Sequence, residues 1–138
     1  MWSRGTLPTT RKFFAALDSG DASACARLMH PEIQFVDTRG NAVDGAEFCT
    51  ELLARMFRCS DDLHVEVDSI APTGRSALVR GRMITADPRL AGEVLWRVQV
   101  DGGLVRSVES HRQDARSTAR FLVPDFLGRG AVAAAAIA

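Results

Sequence analysis

The sequence predicts an α+β domain in which three N-terminal helices pack on one face of a curved, mostly antiparallel sheet. Up to Cys59, apolar side chains recur mainly at intervals of three and four residues, as in amphipathic helices. From Leu63 onward they alternate with polar residues, and short turn motifs separate the runs. Helices first and consecutive strands later favour an α+β arrangement over alternating units.

Two helices are predicted before the first strand. Apolar residues recur at helical spacing up to a Ser-Gly-Asp stretch at 19–21, which ends the first helix. The second helix spans 22–29. It ends before Pro31, because the residue that precedes a proline is biased away from the helical region.

A short strand and a third helix follow. The strand, 33–37, is apolar until it ends in Asp37, and residues 38–41 form a turn. Gly45 precedes the third helix, which carries one broad apolar stripe and closes at 60–62.

The remainder of the chain predicts four strands and a last short helix. Turns are indicated at 72–74, 87–88 and 101–103. We expect one domain over 1–113, and a C-terminal helix with an Ala-rich tail over 114–138, either as a lid or as a disordered segment. The predicted strands are 63–68, 77–85, 93–100 and 104–112, and the helix is 115–122.

Composition excludes several classes of function. The chain has 138 residues, with 17 basic and 17 acidic side chains, so it has no basic footprint for nucleic acid. The longest apolar run, the final AVAAAAIA, is too short to span a bilayer, and no secretory signal is visible. We therefore expect a cytoplasmic protein with no membrane partner.

Cysteine and histidine spacing predicts neither a metal site nor a cofactor. Cys25, Cys49 and Cys59 are odd in number and lack metal-ligand spacing, which indicates free thiols in a reducing compartment. No histidine pairs with a carboxylate at metal-ligand spacing, and there is no Gly-rich phosphate loop.

The stretch FFAALDSGDASACARLMHPEIQFVDTRGNAVDGAEF resembles the opening of a nuclear transport factor 2-like domain. More narrowly, it is similar to SnoaL-like polyketide cyclases and ketosteroid isomerases. The shared features are an aromatic pair before Ala-Ala-Leu, a Gly-Asp step, a Leu-Met-x-Pro-Glu turn, and a strand that ends in an acid. The resemblance covers roughly 9–113. It implies a cone-shaped barrel with a pocket on the inner sheet face, a small-molecule substrate, and a homodimer formed through the outer face.

By this resemblance Asp37 corresponds to the general base of the ketosteroid isomerases. A carboxylate beside an apolar pocket is suited to removing a proton from carbon, because desolvation raises its proton affinity. The alternative is that Asp37 only caps the turn that follows it. Phe13 and Trp96 stand where those isomerases have their oxyanion tyrosine and protonated aspartic acid, so we do not expect steroid isomerisation. The indole N–H of Trp96 could donate into the pocket; otherwise Trp96 is a core aromatic.

Strand alternation predicts which side chains line the pocket. Arg80 and Arg82, if inward, would bind an anionic group or a developing enolate. Alternatively, they lie on the outer face and pair with acids across the sheet. The predicted inward set is Ile33, Phe35, Asp37, Val65, Val67, Leu78, Arg80, Arg82, Ile84, Val94, Trp96, Val98, Val108, Ser110 and Arg112.

The resulting hypothesis is a cofactor-independent enzyme that moves protons on a small, apolar, oxygenated metabolite of polyketide type. The reaction would be a cyclisation, an isomerisation or a dehydration. Asp37 is the predicted base, assisted by Arg80, Arg82 and Trp96. The predicted substrate-binding residues are Phe13, Phe35, Phe48, Leu52, Met56, Val65, Val98, Ser110 and Arg112.

Two other hypotheses remain open. One is a binding or dimerising module without chemistry, with Val79 and Met83 exposed on the outer face. The other is an epoxide hydrolase or epoxide-opening cyclase, which needs a second carboxylate in the pocket. Ser110 stands near the place of that acid in limonene epoxide hydrolases, and Glu66 or Glu109 would serve only if their strands were shifted by one residue.

Overall fold

The computed structural model describes residues 5–114 and 118–125. Its helices pack on one side of a curved sheet that does not close into a complete barrel. The helices are α1 (Thr6–Ser19), α2 (Ala22–Ala26), α3 (Ala46–Cys59) and α4 (Thr118–Leu122). The strands are β1 (Met29–Val36), β2 (Ala42–Asp44), β3 (His64–Thr73), β4 (Ser76–Ile84), β5 (Gly92–Asp101) and β6 (Leu104–Arg112).

The six strands form one mixed sheet in the order β2-β1-β6-β5-β4-β3. β1 and β6 run parallel, whereas every other neighbouring pair is antiparallel. The predicted α+β cone with helices on one sheet face is therefore confirmed. Apolar side chains of α1, α3 and the inner sheet face form the core, which includes the fully buried Phe13, Ile33, Val79 and Val98.

The first strand is longer than the sequence pattern predicts, and the second helix is shorter. β1 already begins at Met29, which pairs with Val105 of β6. Its register then shifts before Gln34, across a segment that contains Pro31. Proline cannot donate to a ladder, so it is tolerated where the pairing is irregular.

Strand β2 is absent from the sequence prediction. Only Ala42–Asp44 form it, and they pair with the end of β1 in a tight hairpin whose loop is 37–41. Three residues carry too little alternation to be recognised. Consequently Asp37 lies at the corner of a hairpin, directly after the end of β1.

The edge strand β3 and its neighbour β4 approach each other closely at one point. β3 bulges between Val67 and Ser69, and Gly81 of β4 lies against that bulge. A Cβ atom on Gly81 would lie 2.1 Å from the carbonyl oxygen of Glu66. Only glycine fits this approach of two backbones.

The C-terminal segment packs against α3. Arg55 of α3 binds both carboxylate oxygens of Asp125, at 2.5 and 3.0 Å, and Leu122 and Val123 are buried. The Arg89 guanidinium lies 3.9 Å from the ring centroid of Phe121. The predicted start of the last helix at Ala115, and the tail over 126–138, fall outside the described residues.

Candidate active site

A cavity of about 90 Å³ lies between the helix layer and the inner sheet face. Its walls are almost entirely apolar, and its polar side chains belong to the 37–41 loop and the end of β6. This volume is below the ~300–1,000 Å³ typical of drug-sized ligand pockets, so the cavity suits a compact group. The lining residues are Phe13, Leu17, Phe35, Val36, Asp37, Asn41, Val43, Leu52, Leu53, Met56, Val65, Met83, Val94, Trp96, Val108, Ser110 and Arg112.

Asp37 lines the cavity and also holds its own loop. Its Oδ1 accepts hydrogen bonds from the backbone N–H groups of Arg39 (2.9 Å) and Asn41 (3.0 Å). The Asn41 side-chain amide lies 3.4 and 3.5 Å from the two carboxylate oxygens. Turn capping and a place in the cavity, which looked like alternatives in the sequence, therefore occur together.

Asn41 is a lining residue that the sequence analysis did not identify. It closes the hairpin loop that Asp37 opens, and the Asp37 backbone N–H donates to its carbonyl oxygen at 2.9 Å. An acid followed four residues later by asparagine, around a glycine, is a recognisable turn pattern. That spacing could have placed both side chains at one corner.

Trp96 and Ser110 face each other across β5 and β6, and both line the cavity. Trp96 is 6% exposed and packs edge-on against Phe14, with ring centroids 5.0 Å apart. Among the described residues, neither the indole N–H nor the Ser110 hydroxyl has a hydrogen-bond partner. Two neighbouring donors thus border the apolar space.

Arg112 is the buried arginine of the cavity wall, with its side chain 3% exposed. Its Nη1 donates to the Leu90 carbonyl at 2.9 Å and its Nη2 to the Ala91 carbonyl at 2.7 Å. Its Nε lies 3.3 Å from Asp114. The guanidinium therefore ties the β4–β5 loop to β6 and brings a positive charge to the polar end of the cavity.

The prediction that Arg80 and Arg82 point inward is wrong. Arg80 is exposed on the outer face, and Arg82 pairs there with Asp68 at 2.9 Å and Glu66 at 3.7 Å. This is the alternative that the sequence analysis left open for Arg82. Burying two guanidinium groups in so small a cavity would cost several kcal/mol each.

The other residues of β4 exchange faces in the same way. Val79 and Met83, expected on the outer face, are buried, and Met83 lines the cavity. Leu78 and Ile84, expected inside, lie on the outer face with the arginines. The charges of Arg80 and Arg82 at alternate positions indicate which face of β4 lies outward, because charged side chains are mostly exposed. This signal is stronger than the family pattern on which the inward prediction was based.

Phe48 and Val98 do not line the cavity. Phe48 is half-buried in the first turn of α3, where Cys49 takes the inward position and contacts the Val43 carbonyl. Val98 is fully buried in the core and is not among the residues that line the cavity. The remaining predicted substrate-binding residues do line it: Phe13, Phe35, Leu52, Met56, Val65, Ser110 and Arg112.

The described part of the chain shows neither a metal-binding cluster nor a membrane-spanning helix. Residues 5–114 and 118–125 contain no group of three or more His, Cys, Asp or Glu placed to hold a metal ion. Within the same ranges, no helix has the length and apolar character needed to cross a bilayer.

Solved structures with this fold come from several bacteria. An uncharacterised cystatin-fold protein from Novosphingobium aromaticivorans is 22% identical, with a TM-score of 0.68 over 77% of this chain and 97% of its own. A proposed SnoaL-like polyketide cyclase from Jannaschia sp. CCS1 is 17% identical, with a TM-score of 0.69 over 80% and 87%. A proposed ketosteroid isomerase from Kribbella flavida is 19% identical, with a TM-score of 0.67 over 83% and 82%. At these identities the likeness shows the fold alone.

The family is shown by the sequence itself. No curated protein matches the chain. The family model of the SnoaL-like domain, however, matches residues 10–108, which is well over half of the chain. This range begins within α1, includes the 37–41 loop, and ends within β6. The chain therefore belongs to the SnoaL-like domain family.

Proposed function

We propose that the protein is an enzyme that removes a proton from carbon in a small, oxygenated, mostly apolar metabolite, with Asp37 as the base. The observation that carries this proposal is the cavity: Asp37 is the only carboxylate among the described residues that line it. An apolar space with one fixed carboxylate at its end is an arrangement suited to general base catalysis. The Asp37 carboxylate itself would carry the abstracted proton.

The oxygen of the substrate would lie against β5 and β6. Removing a proton next to a carbonyl group leaves negative charge on the carbonyl oxygen, and hydrogen-bond donors lower the energy of that charge. Trp96 Nε1 and the Ser110 hydroxyl are the donors proposed for this role. The buried charge of Arg112 adds a favourable field without direct contact.

Arg80 and Arg82 have no part in this mechanism. Both lie on the outer sheet face. Of the residues predicted to assist Asp37, only Trp96 therefore remains. Epoxide opening loses its support as well, since Glu66 and Glu109 lie on the outer face.

The volume of the cavity limits how much of a substrate it can hold. A space of about 90 Å³ is smaller than the ~150 Å³ cavity that holds a benzene ring. A polyketide-like substrate would therefore insert one ring edge or a short chain and leave the remainder outside the cavity.

We also propose that the protein dimerises through the outer sheet face. That face carries half-buried Leu78 and Leu95 among charges of both signs, including Arg80, Arg97 and Glu93. A surface with mixed charges can pair with a second copy of itself across a two-fold axis.

The base assignment is tested by proton exchange at carbon. We expect the protein to accelerate loss of the α-proton signal of 2-indanone in D₂O, followed by proton NMR. Asp37→Asn should slow this exchange by about 10²–10⁴-fold, the range of general base catalysis. The matched control is Asp44→Asn, since Asp44 is an exposed acid of β2 that accepts from Gln34. Exchange by Asp37→Asn at the wild-type rate would contradict the assignment.

A further inference from the structure

Thr38 joins the loop that carries Asp37 to strand β6. Its hydroxyl donates to the Ser110 carbonyl at 3.1 Å and accepts from the Arg112 N–H at 2.8 Å. These two backbone groups flank His111. A residue on a parallel neighbouring strand would bond to such a flanking pair through its own N–H and C=O. The hydroxyl thus substitutes for one missing residue of the β1–β6 ladder.

This substitution is needed because β1 leaves the sheet at this point. The last β1–β6 pair is Val36 with Glu109, and the backbone then turns into the 37–41 loop. Without the hydroxyl, two partly buried backbone groups of β6 would lose their partners at the edge of the cavity. A threonine side chain satisfies both while the main chain is free to turn.

Two hydrogen bonds to the Asp37 carboxylate come from its own loop, and these two do not locate it relative to β6. The N–H groups that hold its carboxylate belong to Arg39 and Asn41, which are members of the same loop. They fix the carboxylate within the loop. The Thr38 hydroxyl ties this loop to β6, the strand that carries Ser110 and Arg112.

We propose that Thr38 is a positioning residue for the reaction: its hydroxyl sets the distance between the Asp37 carboxylate and the donors on β5 and β6. This inference rests on the proposed role of Asp37 as a base. Thr38 itself touches no substrate in this account. Its effect on the rate would come through the placement of Asp37, since small misplacements of a catalytic group are costly.

The test compares three variants. Thr38→Val keeps the shape and removes the hydroxyl, and Thr38→Ser keeps the hydroxyl. Thr9→Val is the matched control, because the Thr9 hydroxyl also bonds to a carbonyl beside β6, that of Gly103, at 3.1 Å. Gly103 precedes the start of β6, at the opposite end from Arg112.

Amide hydrogen exchange by NMR gives a readout that does not depend on activity. In Thr38→Val, we expect the N–H groups of Arg39, Asn41 and Arg112 to exchange at least about tenfold faster than in the wild type, because the loop opens locally. Thr38→Ser should restore slow exchange, and Thr9→Val should leave these three amides unchanged. Unchanged exchange in Thr38→Val would overturn the inference.

The kinetic readout uses 2-indanone as the probe. Thr38→Val should lower kcat by about 10–100-fold, the cost of a misplaced catalytic group, with KM within about twofold of the wild-type value, and Thr38→Ser should recover most of the loss. A wild-type kcat in Thr38→Val, or an equal loss in Thr9→Val, would overturn the proposal. If the wild type does not act on the probe while the three amides respond as expected, the placement by Thr38 stands and the base assignment fails.

Discussion

The side chain of Asp37 caps its own turn and also lines the cavity. Two backbone N–H groups of its own loop bind Oδ1, while the same residue borders an apolar cavity. A rigid carboxylate loses less conformational freedom on meeting its substrate than one on a mobile chain. In this way capping the turn helps the proposed chemistry, because it orients the base in advance.

The three thiols differ sharply in their surroundings. Cys25 and Cys49 are fully buried, and burial raises the pKa of each to about 12, from an ordinary value of 9.0. They therefore carry roughly a thousandfold less thiolate than an ordinary cysteine at the same pH. Cys59, at the end of α3, is exposed.

We expect iodoacetamide at pH 8 to modify Cys59 and to leave Cys25 and Cys49 unmodified in the folded protein. Intact-mass measurement followed by peptide mapping checks this. In denaturant all three should react. Equal rates of labelling at the three sites in the folded protein would contradict the buried positions of Cys25 and Cys49.

At the scale of elements, the β4–β5 loop depends on one side chain of β6. Arg112 donates to the carbonyl groups of Leu90 and Ala91. Because Arg112 is only 7% exposed, water cannot easily take the place of its guanidinium as the donor to these carbonyl groups. A guanidinium that satisfies two loop carbonyls stabilises the loop more than an exposed ion pair would.

Arg112→Met should lower the free energy of unfolding by about 2–4 kcal/mol, because two carbonyl groups lose their donors while the side-chain volume is kept. Urea unfolding followed by circular dichroism measures this. Arg75→Met is the control, an exposed arginine in the turn between β3 and β4, and should change stability by less than about 0.5 kcal/mol. A similar small effect for Arg112→Met would show that its contacts do not hold the loop.

The elements themselves were largely predictable, because long periodic segments such as α1, α3 and β6 carry strong signals. β2 was not, since Ala42–Asp44 owe their strand conformation to pairing with β1. The position of Asp37 beside the cavity was predicted from the resemblance to the ketosteroid isomerases, because the residues alone left turn capping as an equal alternative. The orientation of β4 was predicted wrongly, because the family pattern was given more weight than Arg80 and Arg82, whose charges at alternate positions mark the outer face.

At the scale of the whole molecule, the sheet has two faces with different tasks. The inner face, under α1 and α3, surrounds the cavity. The outer face carries Arg80 and Arg82, and Arg82 pairs there with Asp68 and Glu66. On this face the two arginines would contribute to the contact between two copies of the protein, and not to substrate binding.

We expect the 15.0 kDa chain to sediment as a dimer. Leu95→Glu should shift the protein towards monomer, because a new carboxylate at the centre of an interface is costly to desolvate. Leu95 is half-buried on the outer face between Arg80 and His111. Ala15→Glu, on the exposed side of α1, is the control and should remain dimeric. Sedimentation velocity over a range of concentrations decides, and a dimer unaffected by Leu95→Glu would exclude this face.

The central claim is that Asp37 and the donors of β5 and β6 face one another across a space that holds the enolisable carbonyl end of a substrate. The most direct measurement is a crystal structure of the protein with 2-indanone bound. The account predicts the ketone oxygen within hydrogen-bond distance of Trp96 Nε1 and the Ser110 hydroxyl, with an α-carbon roughly 3–3.5 Å from an oxygen of Asp37. A ketone bound outside the cavity, or inside it with its α-carbons directed away from Asp37, would contradict the account.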